Sequence, residues 1–335
     1  MAMTSRRRFL TTGLTLPVVV AAEPKEAPKA ELVSCERIWD RAPHCAFTDL
    51  IQHNGQWLCC FREGLKHVSP DGHIRILHSD DGTVWRPWSV IEHPVADLRD
   101  PKFTRNAGGA LMLTAAGAMH PPSDARHKTF AWFSSDGREW TAATQIGDSD
   151  FWLWRVHWFQ GKAYAMGYAT AGESVLRAYM STDGRRFTPL GDMVASDGRP
   201  NETAMLFDRT GSALCIVRRE EGTKTAHLGF SRPPYRGWEW KDLAVRVGGP
   251  NLLRLSDGRI VFAGRLYDGS QRTALGWLNP DEPSLTEFIS LPSNGDSSYP
   301  GLVFHDDLLW VSYYSSHESR TSIYLAKVKL PPYSR

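Results

Sequence analysis

The side chains best suited to chemistry in this 335-residue sequence are arginines, carboxylates and a tyrosine that recur at matching places in a repeated pattern. Arg62, Arg99, Arg155, Arg218, Arg265 and Arg272 are the arginines in question. A guanidinium grips a carboxylate or phosphate through paired hydrogen bonds, so a convergent set predicts an anionic ligand. Asp49, Asp71, Asp100 and Glu202 can carry protons, and His67 adds an imidazole, a side-chain type suited to general acid/base work. Tyr299 adds a phenol whose ordinary pKa, about 10, requires a base or nearby positive charge before it can act as a nucleophile. Whether these groups meet depends on the elements that carry them.

Those elements read as hairpins. Arg199 to Arg218, RPNETAMLFDRTGSALCIVR, places the strand-like runs TAMLF and ALCIV around the turn Thr210-Gly211. The same arrangement recurs around Asn54-Gly55, Gly108-Gly109, Gln160-Gly161, Asp257-Gly258 and His305-Asp306. Successive turns lie about 47 to 54 residues apart, the period of a propeller blade. The predicted class is all-β, a six-bladed β-propeller of four-stranded antiparallel blades. Blade one is expected over residues 44–93, blade two over 97–147, blade three over 152–193, blade four over 201–247, blade five over 249–291 and blade six over 299–330. Blade six shows three strands, so Glu31 to Trp39 is expected to return as its fourth and close the ring. In this topology the hairpin turns share one face, and the residues at the start of strand one or after strand two gather on the other. All the chemically capable residues named above fall on that second face.

Composition bounds the partners. A chain that is 41% hydrophobic with 13 Trp can build a large packed core. A net charge of +2 speaks against nucleic acid or an anionic membrane surface as partner. Residues 1–22 are set apart, because Ser5-Arg6-Arg7-Arg8-Phe9-Leu10 resembles the twin-arginine export motif. The apolar stretch that follows, to about Ala22, is short for a bilayer span, and Ala21-Ala22 offers a cleavage site. The expectation is an exported protein, periplasmic or secreted, with no stable membrane insertion after cleavage. Residues 23–30 read as a linker and residues 31–335 as one propeller. Five cysteines without a CxxC pair imply neither a disulfide framework nor a zinc site, and buried thiols are expected. Nothing implies a cofactor or a metal.

Ser79-Asp80-Asp81-Gly82-Thr83-Val84-Trp85 fits SxDGxxW, which returns at Ser134 to Trp140 and, with Phe for Trp, at Ser181 to Phe187. These turns resemble the Asp-boxes of the sialidase-type propellers. The resemblance extends over roughly residues 44 to 330 and implies site residues. In sialidases blade four carries a Glu that partners a nucleophilic Tyr, then an Arg about sixteen residues later that binds the substrate carboxylate; Glu202 and Arg218 have that spacing. The blade-five Arg is matched by Arg272, with Arg265 as a near alternative, and the Tyr that opens blade six by Tyr299. The family's acid/base Asp lies in the loop after the second strand of blade one, where Asp71 stands in a Ser-Pro-Asp-Gly turn; Asp49, Asp100 and His67 compete for the role. One departure is plain. The family's blade-one arginine is missing from Ala46-Phe47-Thr48-Asp49-Leu50, leaving Arg62 or Arg99 to replace it.

The resemblance implies exo-hydrolysis of a terminal acidic sugar, sialic acid or similar, from an anionic glycan, with retention through Tyr299. A tyrosine suits a sugar whose anomeric carbon bears a carboxylate, since an anionic nucleophile would be repelled. The enzyme alternative is a glycosidase or lyase on another anionic glycan, using a carboxylate or His67. A third is a propeller that binds a glycan or protein without catalysis. Fold alone does not choose among them.

Overall fold

A computed structural model describes residues 29–331, so the leader expected at residues 1–22 and most of the linker lie outside the described residues. Twenty-four strands, β1 to β24, follow one another in the described residues, without a helix between them. They pair into six antiparallel sheets of four, the propeller expected from the repeat. Blade one contains β2 (His44–His53), β3 (Gln56–Gly64), β4 (His73–Ser79) and β5 (Arg86–Ile91). The innermost strands of blades two to six are β6 (Ala96–Arg105), β10 (Phe151–Phe159), β14 (Pro200–Phe207), β18 (Val247–Arg254) and β22 (Ser297–His305). Blade six continues through β23 (Leu308–Ser315) and β24 (Ser322–Lys329), and β1 (Glu31–Trp39) returns as its outer strand, pairing Glu31 with Lys329 and Trp39 with Ile323. The first and last strands of the described residues are thus tied into one sheet, which closes the ring. No helix among the described residues is long and apolar enough to cross a membrane.

Blades pack face to face, so their inner strands are buried on both sides and read as near-continuous apolar runs such as Leu111 to Ala116. Trp57 of blade one stacks on Trp310 of blade six, ring centroids 4.2 Å apart. The three SxDG turns have one geometry. Asp81, Asp136 and Asp183 each accept two backbone N–H groups, at 2.8 and 3.1 Å for Asp81. The following glycine must be glycine at Gly82, where φ is +72° and a Cβ would stand 2.4 Å from Trp310. All five cysteines are free; Cys45, Cys59, Cys60 and Cys215 are buried and Cys35 is half-buried.

One irregularity repeats in every blade. The pairing of the innermost strand with its neighbour slips by one residue between Ala46 and Asp49, Arg99 and Lys102, Leu153 and Val156, Pro200 and Thr203, Gly248 and Asn251, and Ser298 and Gly301. Each slip is a β-bulge, which bends the strand and re-aims its side chains. The two residues inside each bulge are Phe47-Thr48, Asp100-Pro101, Trp154-Arg155, Asn201-Glu202, Gly249-Pro250 and Tyr299-Pro300. Phe47, Asp100, Gly249 and Tyr299 take positive φ there, between 50° and 61°. Six bulges therefore place one chosen position per blade around one axis, a side chain in five of them and the bare Gly249 in blade five.

Below that ring the channel is crossed by an ion pair. Arg155 reaches Asp49 with Nη1 3.0 Å from Oδ2 and Nη2 3.2 Å from Oδ1, both residues buried, and the Phe103 N–H donates to Asp49 at 2.7 Å. The sequence reading put Asp49 and Arg155 on the ligand face. The bulge corrects this, because it changes which way the strand's side chains point and sends both along the channel. Beyond the pair the channel opens at the other end into a cavity of 820 Å³ lined by residues such as Gln52, Arg105, Trp158 and Phe304. Breaking a buried pair from one side leaves an uncompensated charge and costs about 3–5 kcal/mol. Arg155→Met is expected to lower the unfolding free energy by that amount in urea titrations, and Asp49→Leu/Arg155→Met to recover most of it.

Candidate active site

Glu202 occupies the bulge of β14, and Arg218 stands on the adjacent strand β15 (Ala213–Arg219). Both are tied to Tyr299 in the bulge of blade six. The Tyr299 hydroxyl donates to Glu202 Oε1 at 2.5 Å, and Arg218 Nη1 donates to the same oxygen at 2.7 Å and to the phenol oxygen at 2.9 Å. The other carboxylate oxygen, Oε2, accepts the Gly249 N–H at 2.6 Å. Gly249 has a steric reason to be glycine, since at φ +56° a Cβ would lie 2.7 Å from the Tyr299 ring. Burial alone would raise the Glu202 pKa, but Arg218, the Tyr299 hydroxyl and the Gly249 N–H outweigh it and hold the carboxyl below its ordinary value. Burial and the Glu202 charge push Tyr299 well above the usual phenol range, against Arg218 and Arg265, so the phenol is protonated at rest beside an ionised base.

A second hub supports the first. Asp296, in the loop before β22, accepts His44 Nε2 at 3.0 Å, His67 Nδ1 at 2.6 Å and the Tyr314 hydroxyl at 2.8 Å. Arg265 of β19 (Ile260–Leu266) donates to the Ser297 carbonyl at 2.9 Å and to Tyr314 at 3.1 Å, approaches Asp296 at 3.3 Å, and lies 5.4 Å from the Tyr299 ring centroid. Burial would raise the Asp296 pKa, but hydrogen bonds from His44 and His67 hold it far below the usual carboxylate range. Phe47 fills the place of the missing blade-one arginine; its ring stands 5.3 Å from Tyr299 and 5.1 Å from His67. His44 Nε2, His67 Nδ1 and an Asp296 oxygen lie within 4.8 Å of one another, a two-histidine, one-carboxylate set of a kind that can hold a divalent cation. Here each histidine contact is a hydrogen bond, and Arg265 places a fixed positive charge beside the same carboxylate.

Asp100 completes the ring from blade two. It is buried with one carboxylate oxygen, Oδ1, lacking a hydrogen-bond partner, and desolvation raises its pKa to about 7 despite the nearby Lys102. A carboxyl that is half protonated near neutrality can both give and take a proton.

The structure therefore brings together Tyr299, Glu202, Arg218, Arg265 and Asp100, with His67 at the rim. The other expected residues have other work. Arg62 is fully buried and donates to Asp97 at 2.9 Å and to the Lys66 and Ser69 carbonyls at 2.9 and 3.1 Å, which fixes the loop that carries His67. Arg99 pairs with Asp97 at 2.5 Å. Asp71 is exposed and caps its own turn, accepting Leu65 N–H at 3.0 Å; burial would raise its pKa, but hydrogen bonds from Ser69 and backbone N–H groups together outweigh it and hold the carboxyl below its ordinary value. Arg272 pairs with Glu287 and, at 3.1 Å, with Asp268, leaving the blade-five position at Tyr299 to Arg265. No ring of free arginines forms, because each guanidinium named above already faces a protein carboxylate. The sequence reading missed Asp296, Tyr314, Phe47 and Gly249. The signal for the last two was position, since both occupy the place in their blades that Tyr299 holds in blade six.

No protein-family profile matches the sequence, and no curated protein matches it. Solved structures do match in fold. A Dyadobacter fermentans protein of unknown function aligns with a TM-score of 0.80 at 16% identity, covering 90% of this chain and all of that one. A Penicillium chrysogenum α-L-arabinanase complexed with arabinobiose gives 0.67 at 16% identity over 89% and 98% of the two chains. Trypanosoma rangeli sialidase in complex with the inhibitor DANA gives 0.65 at 11% identity, over 90% of this chain and 60% of the sialidase. The chain thus shares its propeller fold with two glycosidases of different substrate.

Asp100 carries a signature in stability. Its folded pKa, about 7, lies above the ordinary carboxyl value, so the folded state keeps a proton that the unfolded chain has released. The protein is expected to lose stability as pH rises from about 4 to about 7 through this group. Asp100→Asn should remove that part of the slope in denaturation curves taken across the range.

Proposed function

We propose that this chain is a retaining exo-glycosidase that releases a terminal acidic sugar, with Tyr299 as nucleophile, Glu202 as its base and Asp100 as acid/base. The observation that carries this reading is the triangle of Tyr299, Glu202 and Arg218. A protonated phenol bonded at 2.5 Å to an ionised carboxylate can lose its proton as it attacks. Both oxygens of Glu202 are occupied by donors, which favours a base over a direct nucleophile. In the first step the Tyr299 oxygen bonds to the anomeric carbon, the phenol proton passes to Glu202, and the glycosidic C–O bond breaks as Asp100 protonates the leaving oxygen. In the second, water attacks that carbon and gives its proton to Asp100, while Tyr299 departs and recovers its proton from Glu202. Arg218 and Arg265, held charged by Glu202 and Asp296 against the cost of burial, offset negative charge above the phenol. A neutral nucleophile matters most where the anomeric carbon bears a carboxylate, hence the acidic sugar.

Phe47 favours a second reading. An aromatic ring where an anion-binding guanidinium is expected, together with arginines already paired, suits an uncharged sugar, and the same fold serves an arabinanase. An aryl α-sialoside and an aryl α-L-arabinofuranoside, offered to the purified protein, separate the two by which one releases its aryl group. Tyr299→Phe should reduce that turnover to background under either reading; retained turnover would reject the nucleophile, and silence on every glycoside with measurable binding would favour a non-catalytic propeller.

The acid/base role has its own test. Asp100→Asn is expected to lower kcat by about 10²–10⁴-fold on an alkyl glycoside and far less on a nitrophenyl one, whose leaving group needs no proton. In the native protein kcat/KM should fall on the alkaline side near pH 7, as Asp100 loses its proton, and the variant should lack that limb.

A further inference from the structure

Beside the Glu202 cluster, on the same face, lies a cleft of 670 Å³ lined by residues of blades two, three and four. It falls within the usual size of a small-ligand site. Its walls include Trp152, Tyr168, Arg126, His127 and Arg199, and its inner end is Asn201 and Glu220. Those two lead straight into the triangle: Asn201 precedes Glu202 in the bulge, and its Oδ1 accepts the Glu202 N–H at 2.7 Å, while Glu220 is paired with Arg218. Tyr168 stands between cleft and centre. Its ring stacks on Trp152, centroids 5.8 Å apart and planes 14° from parallel, and the charges of Glu202 and Asp100 add to burial in pushing its phenol well above the ordinary range.

The cleft is built for something polar and charged. His127 Nδ1 is buried on its wall with no hydrogen-bond partner, and burial, then Arg99, keep that imidazole neutral. Arg126 is exposed at the mouth, and its guanidinium is given no ion pair among the described residues, in contrast to Arg62, Arg155, Arg218 and Arg265. Arg199 touches Glu221 only at 3.5 Å with both side chains exposed. The position also suits the chemistry. Displacement by Tyr299 of blade six expels the leaving group on the far side of the sugar, and blade three lies directly across the ring of six. Asp100, the proton donor for that leaving oxygen, is on the neighbouring blade two.

We propose that this cleft is the subsite for the leaving-group sugar, that Tyr168 backed by Trp152 forms its wall, and that Arg126 with Arg199 selects a sugar bearing an anionic group, carboxylate or sulfate. The proposal rests on the hydrolase reading for the position of the scissile bond.

Binding to the Tyr299→Phe protein, which cannot consume its ligand, tests it separately from turnover. The probes are sialic acid, uncharged-leaving-group sialyllactose, α2,8-linked disialic acid for carboxylate and 6-sulfated sialyllactose for sulfate, each titrated by ligand-observed NMR. Digalacturonic acid against galacturonic acid repeats the comparison with a different terminal sugar. The expected result is that at least one charged-leaving-group probe binds more tightly than its uncharged or monosaccharide counterpart, and that Arg126→Ala or Arg199→Ala removes the difference, roughly tenfold for a lost exposed charge-assisted contact. Tyr168→Ala should weaken every disaccharide while leaving monosaccharide binding unchanged. Equal affinity for charged and uncharged probes, or a preference that survives Arg126→Ala/Arg199→Ala, would overturn the proposal. Loss of turnover in all assays with the binding preference intact would instead reject the hydrolase reading and leave the cleft standing.

Discussion

The β-bulge repeated in the innermost strand of all six blades is the constraint on which everything else depends. A regular strand would alternate its side chains between the two neighbouring blades and present backbone to the axis. The extra residue turns the strand, and in four blades a positive φ completes the turn. Tyr299, Asp100, Phe47 and Gly249 reach their places only by this device, and Glu202 and Arg155 occupy the second bulge position. The bulge is held from behind as well as in line: the Thr48 hydroxyl donates to the Tyr299 carbonyl at 3.0 Å and contacts Ser312 at 2.9 Å, pinning blade one to blade six at the nucleophile.

Charge is then arranged in layers along the axis. At the ligand face Glu202 and Arg218 neutralise one another and keep a phenol poised, and Asp296 gathers two histidines, a tyrosine and Arg265. Beneath them Asp49 and Arg155 close the channel with a buried pair. Asp100 differs from all of these because its oxygen Oδ1 has no partner, and a low-dielectric setting without a partner is what lifts a carboxyl toward neutrality. The same physical rule thus yields the ionised carboxylates of Glu202 and Asp296 and, in the same ring, one carboxyl that is half protonated near neutrality.

Arginine types were a weaker guide than arginine places. Arg62 and Arg99 were expected to replace the missing blade-one arginine and Arg272 to serve blade five, yet each faces a carboxylate of its own or an adjoining blade, Asp97 or Glu287. Arg62 does reach the site indirectly, by holding the carbonyls of the loop on which His67 sits. The absence of the blade-one arginine was visible in the sequence, but that Phe47 takes its place and forms an aromatic wall with Tyr299, His67 and Tyr314 required the ring packing.

The amino-acid sequence by itself determined the repeat, the six blades and the return of Glu31 to Trp39 to close the ring, since these follow from apolar periodicity and turn chemistry, which are local. It also marked Glu202, Arg218 and Tyr299, through the resemblance of their spacing and blade positions to those of sialidase-type propellers. Tertiary structure alone settled which arginine stands at Tyr299, which carboxylates are paired, and which groups share the Asp296 hub. Those outcomes depend on side-chain direction at a bulge and on partners more than 90 residues away, as with Tyr299 and Glu202. A one-residue slip reverses every direction beyond it, and no local sequence signal records where six such slips will point.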